Sequence, residues 1–358
     1  MKRYSGGAIR NIAVAGHQGS GKTSLVEAML FDTGAIDRLG RVDDGSAKTD
    51  FDPEEQRRQI SINLALAPVE WRDHKINLLD APGYLDFLGE VGSAMRGADA
   101  AVIVISAPAG VEVGAEAVWE LATEHQLPRL IFVNKMDREN ADFTRVMESI
   151  RAVFGSRCVP IQAPIGQEAG FSGVVDVLRQ VAVTGSGRDT QRGPVPAECE
   201  ARVAEIREAL MECAAEADDE LLEKYLGGEP LSDDELCRGV TAAVKGCGMV
   251  PVLFGSATAN IGIQPLLDAL VDLAPSPLEK GADESAPTTA LVFKTLSDPY
   301  VGKLSYFRVY SGILKGGTDV HNPVRGHDER LGPLFALRGK QQEPMAEVPA
   351  GDIAATAK

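Results

Sequence analysis

The chain has 358 residues, 44% of them hydrophobic, which suits about two or three globular domains and excludes an intrinsically disordered chain. Its formal charge of −16 argues against a protein held to nucleic acid, DNA included, by general basicity, while leaving room for a local basic patch or an acidic, protein-facing surface. No apolar run approaches the roughly 20 residues that span a bilayer, residues 1–15 lack a signal-peptide core, and Cys158, Cys199, Cys213, Cys237 and Cys247 show no C-x-x-C spacing, so the expectation is a reduced, cytoplasmic protein with no membrane partner.

Ile12-Ala13-Val14-Ala15 reads as a buried strand and residues 24–30 as a helix. Between them, Gly16-His17-Gln18-Gly19-Ser20-Gly21-Lys22-Thr23 fits the phosphate-loop pattern G-x-x-x-x-G-K-[ST], in the strand-to-helix setting that gives the pattern meaning. Such a loop turns backbone N–H groups and the positive end of a helix toward a phosphate. Lys22 would reach the outer phosphates and Thr23 would ligate Mg²⁺. Residues 31–59, rich in Gly, Asp and Arg without a sustained apolar period, read as a mobile loop. From Ile60 a strict alternation through Ile62, Leu64 and Leu66 predicts a half-buried strand, with Ser61 at its entrance placed to ligate Mg²⁺. Residues 74–79 read as the next strand, after the turn Arg72-Asp73. It stops at Asp80-Ala81-Pro82-Gly83, where Asp80 would hold a water on Mg²⁺ and the Gly83 N–H would sense a terminal phosphate. Residues 100–105 and 129–133 are continuous apolar strands with a helical pattern over 111–125 between them. Strands alternating with helices predict an α/β fold, a parallel-type sheet with helices on both faces and ligands beyond the strands' carboxyl ends.

One phosphate loop does not identify a nucleotide, since kinases and ATPases share it. Asn134-Lys135-Met136-Asp137, directly after the strand at 130–133, is the discriminator. A carboxylate at Asp137 accepts both the ring N–H and the exocyclic amine of guanine, a pair that adenine does not offer. Gly255-Ser256-Ala257 follows a strand at 250–254 and is placed to give a backbone N–H to the guanine carbonyl. Residues 155–248 break the rhythm and read as an inserted α+β subdomain. It has a strand-like 173–178, a charged helix from about 196 to 226 with a solvated face, and a helix from Ser232, capped with Glu235, to near Gly246. A helix over 263–273 completes a nucleotide-binding domain built from residues 1–154 and 249–275. Residues 276–289 read as a linker, and 290–358 as all-β.

In this order and spacing, Gly16 to Thr23, Gln56-Arg57-Arg58-Gln59-Ile60-Ser61-Ile62, Asp80-Ala81-Pro82-Gly83-Tyr84 with Asp86-Phe87, Asn134 to Asp137 and Gly255-Ser256-Ala257 resemble the elongation factor G family of translational GTPases. Phe293-Lys294, Ser297-Asp298-Pro299-Tyr300-Val301-Gly302-Lys303-Leu304 and Arg308-Val309-Tyr310-Ser311-Gly312 look like that family's second domain, a β-barrel of which the chain would carry part. The resemblance implies GTP and Mg²⁺ as ligands, catalysis through Lys22, Gly83 and the residue at Tyr84, and the ribosome as partner. The insertion would face the ribosomal stalk protein, a factor-binding RNA loop would be the other ribosomal partner, and the protein would be a monomer off the ribosome. Four positions depart from the family. Tyr84 stands where a histidine is usual, Gly19 where an aspartate ligates a monovalent cation, Ser61 for threonine and Gln59 for glycine. On this resemblance they would mark a divergent paralogue, with the chain expected to stop inside the second barrel, before the family's later domains. Two readings follow, a GTPase and a GTP-dependent switch that scarcely hydrolyses. A phosphate-loop kinase or ATPase is the third, and Asn134 to Asp137 speaks against it.

Overall fold

A computed structural model describes residues 2–298 and 302–357. Pro299, Tyr300 and Val301 of the second-domain motif, with Met1 and Lys358, lie outside the described residues. In chain order the first part is β1 (Ile9–Gly16), α1 (Lys22–Asp32), α2 (Pro53–Arg58), β2 (Ala65–Trp71), β3 (His74–Asp80), α3 (Leu88–Gly97), β4 (Ala100–Ser106), α4 (Val113–Glu124), β5 (Arg129–Asn134), α5 (Phe143–Phe154) and β6 (Cys158–Pro160). Then come β7 (Gln162–Ile165), β8 (Gly173–Asp176), β9 (Val181–Thr184), β10 (Gln191–Gly193), α6 (Glu200–Glu216), α7 (Asp219–Leu226) and α8 (Asp233–Lys245). After them β11 (Val250–Phe254) and α9 (Ile263–Leu273) return to the main body.

Seven strands form the central sheet in the order β2-β3-β1-β4-β5-β11-β6, parallel except for the β2–β3 hairpin. The continuous apolar runs are needed because both faces are covered. Ile12 and Val14 of β1 pack with Leu25 and Met29 of α1 and Leu266 of α9. Their neighbours Ala13 and Ala15 pack in the opposite layer with Val91 of α3, Val118 of α4 and Ile150 of α5. Each fully buried Leu, Ile or Val contributes about 1.5–3 kcal/mol. The β2–β3 turn at Arg72-Asp73 has φ of 46° and 57°, the left-handed pair that matches hairpin twist. β6, past the boundary read at Phe154, pairs with β11 and completes the sheet's edge, while β10-β9-β8-β7 form a separate antiparallel sheet.

Three expectations are corrected. The strand predicted from Ile60 begins at Ala65. The N–H groups of Ile62 and Asn63 donate instead to Glu55 Oε1, both at 2.9 Å, and that of Leu64 to Glu90 Oε2 at 2.7 Å, so carboxylates satisfy this backbone where a ladder was expected. Residues 31–59 are not one structureless loop, because α2 is nucleated by the Asp52 and Glu55 capping box with Pro53 in its first turn, and ends at Gln59 with φ of 55°. The single charged helix of 196–226 is two, α6 and α7. Asp218 leaves helical dihedrals and caps Glu220 and Leu221, restarting the chain in a new direction.

The C-terminal part is all-β: β12 (Thr289–Asp298), β13 (Gly302–Ser311), β14 (Ile313–Lys315), β15 (Asp319–Asn322), β16 (His327–Arg330), β17 (Leu334–Arg338), β18 (Gln341–Met345), β19 (Glu347–Pro349) and β20 (Ile353–Ala357). A five-stranded sheet runs β12-β13-β20-β17-β18, and β14-β19 and β15-β16 pair separately. Phe293, Tyr306 and Ile353 share the apolar layer that lies under α3 and α4. At the amino ends of the central strands the two parts meet through buried polar groups. Asp352 takes Lys75 Nζ at 2.7 and 2.8 Å and Asn77 Nδ2 at 3.0 Å, and Arg308 donates to Asp99 at 2.7 Å. Lys75 and Asp352 are 3% and 4% exposed, so Asp352→Ala would leave a buried ammonium uncompensated. The expected cost is about 3–5 kcal/mol, read as a fall in the urea midpoint. An unchanged midpoint would mean that the pair is not buried in solution.

Candidate nucleotide site

The sheet's carboxyl edge gathers the residues singled out by the sequence. Gly16 ends β1, Asp80 ends β3, Asn134 ends β5, and Gly255 follows β11. α1 opens at Lys22 behind Gly21, whose φ is 92°, so no side chain caps the first-turn N–H groups of α1. Lys22 is 5% exposed and its Nζ donates to the His17 carbonyl at 2.9 Å. Burial pushes its pKa down to about 8 against the opposing charges of Asp80 and Asp50. A Cβ at Gly83 would fall on Lys22 Nζ and 2.8 Å from the Gln18 backbone, so only glycine lets this turn lie on the loop. The Ala81 N–H donates to the Val14 carbonyl at 3.0 Å and fixes Asp80-Ala81-Pro82-Gly83 to the end of β1. The His17 ring faces the start of α4, accepting the Gly114 N–H at 3.2 Å with Glu112 3.4 Å from Nε2. Tyr84 is half-buried and meets Phe87 edge-on at 6.4 Å.

At one end of the loop three hydroxyls and two carboxylates converge. Thr23 Oγ1 and Ser61 Oγ are 3.0 Å apart, and Thr49 Oγ1 donates to Asp80 Oδ2 at 2.8 Å. Burial, then the neighbouring Asp50 charge, raises Asp80 to about 7, and burial raises Asp50. Asp80 Oδ1 and Asp50 Oδ2 are buried without a hydrogen-bond partner among the described residues. Sequence reasoning missed Thr49 and Asp50, which no periodicity marks. They arrive because Glu27 of α1, itself buried, accepts the Lys48 N–H at 2.6 Å and holds this segment against the loop.

At the other end, Asn134 braces the turn. Its Nδ2 donates to the Ser20 carbonyl at 2.8 Å, and its Oδ1 accepts the N–H groups of Lys135 and Ala257, both at 2.9 Å. Lys135 Nζ reaches the Gly19 carbonyl at 2.6 Å, and the buried Met136 donates its N–H to the Gly255 carbonyl at 3.1 Å. Asp137 Oδ1 is buried with no partner among the described residues. The N–H groups of residues 255–257, among them the expected donor to a base carbonyl, are each hydrogen-bonded within the protein. Gly255 donates to Val133, Ser256 to Ile261 and Ala257 to Asn134, so a base carbonyl would share the Ala257 N–H with Asn134 Oδ1.

Residues 7–276 match the elongation factor Tu GTP-binding domain, and residues 287–358 match elongation factor G domain 2. The fold is also that of a protein of Thermus thermophilus known from its crystal structure, with a TM-score of 0.91 and 37% identity over 98% of this chain. The chain spans about half of that relative, 52% of its length. A GTP-binding domain of this kind, followed directly by the second domain of elongation factor G, makes the chain a member of the translational GTPases of the elongation factor G type.

Proposed function

We propose that this chain binds GTP with Mg²⁺ and hydrolyses it slowly, as part of a factor that acts on the ribosome. The observation that carries the reading is the pair of unsatisfied buried acceptor sets at the two ends of one phosphate loop. Asp137 Oδ1 lies at one end, and Asp80 Oδ1 with Asp50 Oδ2 at the other. Buried polar atoms without partners are costly. A guanine N–H pair at the first end and a hard dication at the second satisfy both, and a nucleotide triphosphate spans the loop between them. The donor set of hydroxyls and carboxylates suits Mg²⁺, which Thr23, Ser61 and, through water, Asp80 would hold and which would supply positive charge against the negative charge of the outer phosphates.

In the reaction a water oxygen bonds to the terminal phosphorus as the bond to the leaving GDP oxygen breaks, giving GDP and inorganic phosphate. Lys22 and the N–H groups of the loop and Gly83 face the oxygens that gain charge. Asn134 and Lys135 tie the base end to Ser20 and Gly19, so the base and phosphate subsites are joined by direct hydrogen bonds. By likeness to the family the insertion would face the ribosomal stalk protein, a factor-binding RNA loop would be the other ribosomal partner, and the protein would be a monomer off the ribosome. The second reading, a switch that scarcely hydrolyses, is favoured by Tyr84, a phenol at the position of the family's imidazole. Single-turnover hydrolysis of GTP with and without ribosomes tests both. Slow turnover with weak ribosomal stimulation is expected. Binding with no phosphate release under either condition would leave the switch.

A further inference from the structure

Lys294 lies outside the nucleotide site yet joins the two segments that carry Ser61 and Tyr84 into it. It sits on β12 and is 7% exposed. Its Nζ donates to Glu90 Oε2 at 2.5 Å and to the Leu64 carbonyl at 3.1 Å. The same Glu90 Oε2 accepts the Leu64 N–H at 2.7 Å. Leu64 ends the segment after Ser61, and Glu90 stands in the first turn of α3 after Tyr84. One ammonium of the all-β unit therefore closes a three-way junction between both segments. A buried ammonium persists only where it is paired, so the junction holds only while both segments are in place.

The same unit braces the first segment a second time. Gly339, in the β17–β18 turn with φ of 51°, donates its N–H to the Leu66 carbonyl at 3.0 Å on the outer edge of β2. A Cβ there would fall on the Lys48 carbonyl and 3.6 Å from the Phe51 ring. Arg338 beside it donates to the Ala35 carbonyl at 3.2 Å. These contacts cap the sheet's edge strand and at the same time press on the segment that carries Thr49 and Asp50.

The geometry points to Lys294 as a positioning residue, through which the all-β unit holds the Ser61 and Tyr84 segments in one arrangement about the outer phosphates of GTP. This rests on the GTP-binding reading above. Without Lys294, Glu90 keeps the Leu64 N–H but the Leu64 carbonyl loses its donor, and the two segments are free to part. A diphosphate is gripped by residues 16–23 and the base-side turn, which Lys294 does not touch. A terminal phosphate with its Mg²⁺ also needs Ser61 and Gly83, so the loss falls on the triphosphate.

The test compares Lys294→Met with Lys294→Arg in the intact chain, using a fluorescent non-hydrolysable GTP analogue and fluorescent GDP at fixed Mg²⁺, together with trypsin cleavage after Arg57 and Arg58. Charge-assisted hydrogen bonds of this kind set the scale. Lys294→Met should weaken the triphosphate analogue about 10–100-fold, leave GDP within about threefold, and speed cleavage after Arg57 and Arg58. Lys294→Arg should restore most of the difference. Should Lys294→Met fail to fold, Glu90→Gln weakens the same junction from the α3 side and is read in the same way. Equal loss of both nucleotides, or an unchanged ratio, would overturn the positioning role. A wild-type chain that binds neither nucleotide would overturn the functional reading instead, and the cleavage rates would then decide Lys294 alone, an unchanged rate in Lys294→Met counting against it.

Discussion

Lys22→Ala is expected to abolish tight triphosphate binding, raising the dissociation constant at least about 100-fold in a fluorescence titration. The ammonium is buried in the loop, close to Asp80 and Asp50 and donating to the His17 carbonyl. Its removal takes away charge-assisted hydrogen bonds to the outer phosphates, worth about 1.5–3 kcal/mol each. It also leaves the two acidic groups without the neighbouring cation that opposes their raised pKa values. GDP should be weakened less than GTP, because the terminal phosphate depends most on this group. Wild-type affinity in this variant would mean that the phosphate loop has been misread.

Tyr84→His is expected to speed ribosome-stimulated hydrolysis, with GTP affinity nearly unchanged. Tyr84 follows Gly83, which lies against Lys22 and Gln18, so its side chain springs from the turn that lies on the phosphate loop. The ring packs edge-on against Phe87. A phenol can accept or donate one hydrogen bond to a water, but it brings no positive charge to the transition state. A histidine ring also hydrogen-bonds a water and, when protonated, carries positive charge as well, and positioned groups of this kind contribute on the order of 10²–10⁴-fold. Even partial recovery should be visible in single-turnover phosphate release. If wild type already turns over as fast as Tyr84→His under the same conditions, the tyrosine is not the brake. If neither turns over while Lys22→Ala abolishes binding, the limit lies at Ser61 or Gly19.

The motifs gathered at the sheet's carboxyl edge were largely legible because they are local. The phosphate loop, Asp80 to Gly83 and Asn134 to Asp137 each follow a strand whose apolar run announces it, and a parallel sheet delivers all such ends to one edge. What escaped was set by long-range carboxylates. The alternation at Ile60 to Leu66 is real in sequence, yet Glu55 and Glu90 capture the backbone N–H groups of residues 62–64 before a strand can form. Thr49 and Asp50 enter the site only because Glu27, on α1, folds residues 40–49 back onto the loop. The break at Asp218 was readable as a cap, but the charged run on both sides of it hid the change of direction. Gln59, which ends α2, adopts the left-handed conformation that glycine takes freely, a turn that no apolar pattern in the sequence announces.

The central claim, guanine recognition by Asp137, is tested most directly by competing labelled GTP with unlabelled GTP, XTP and ATP on wild type and Asp137→Asn. Asparagine keeps the size of the side chain but exchanges one acceptor oxygen for a donor, reversing one contact to the base. Wild type should prefer GTP over both rivals, since each would leave the Asp137 carboxylate incompletely matched. Asp137→Asn should lose GTP affinity and gain XTP affinity, with ATP weak in both proteins. An unchanged preference for GTP over XTP in Asp137→Asn, or displacement of GTP by ATP in wild type, would contradict the account.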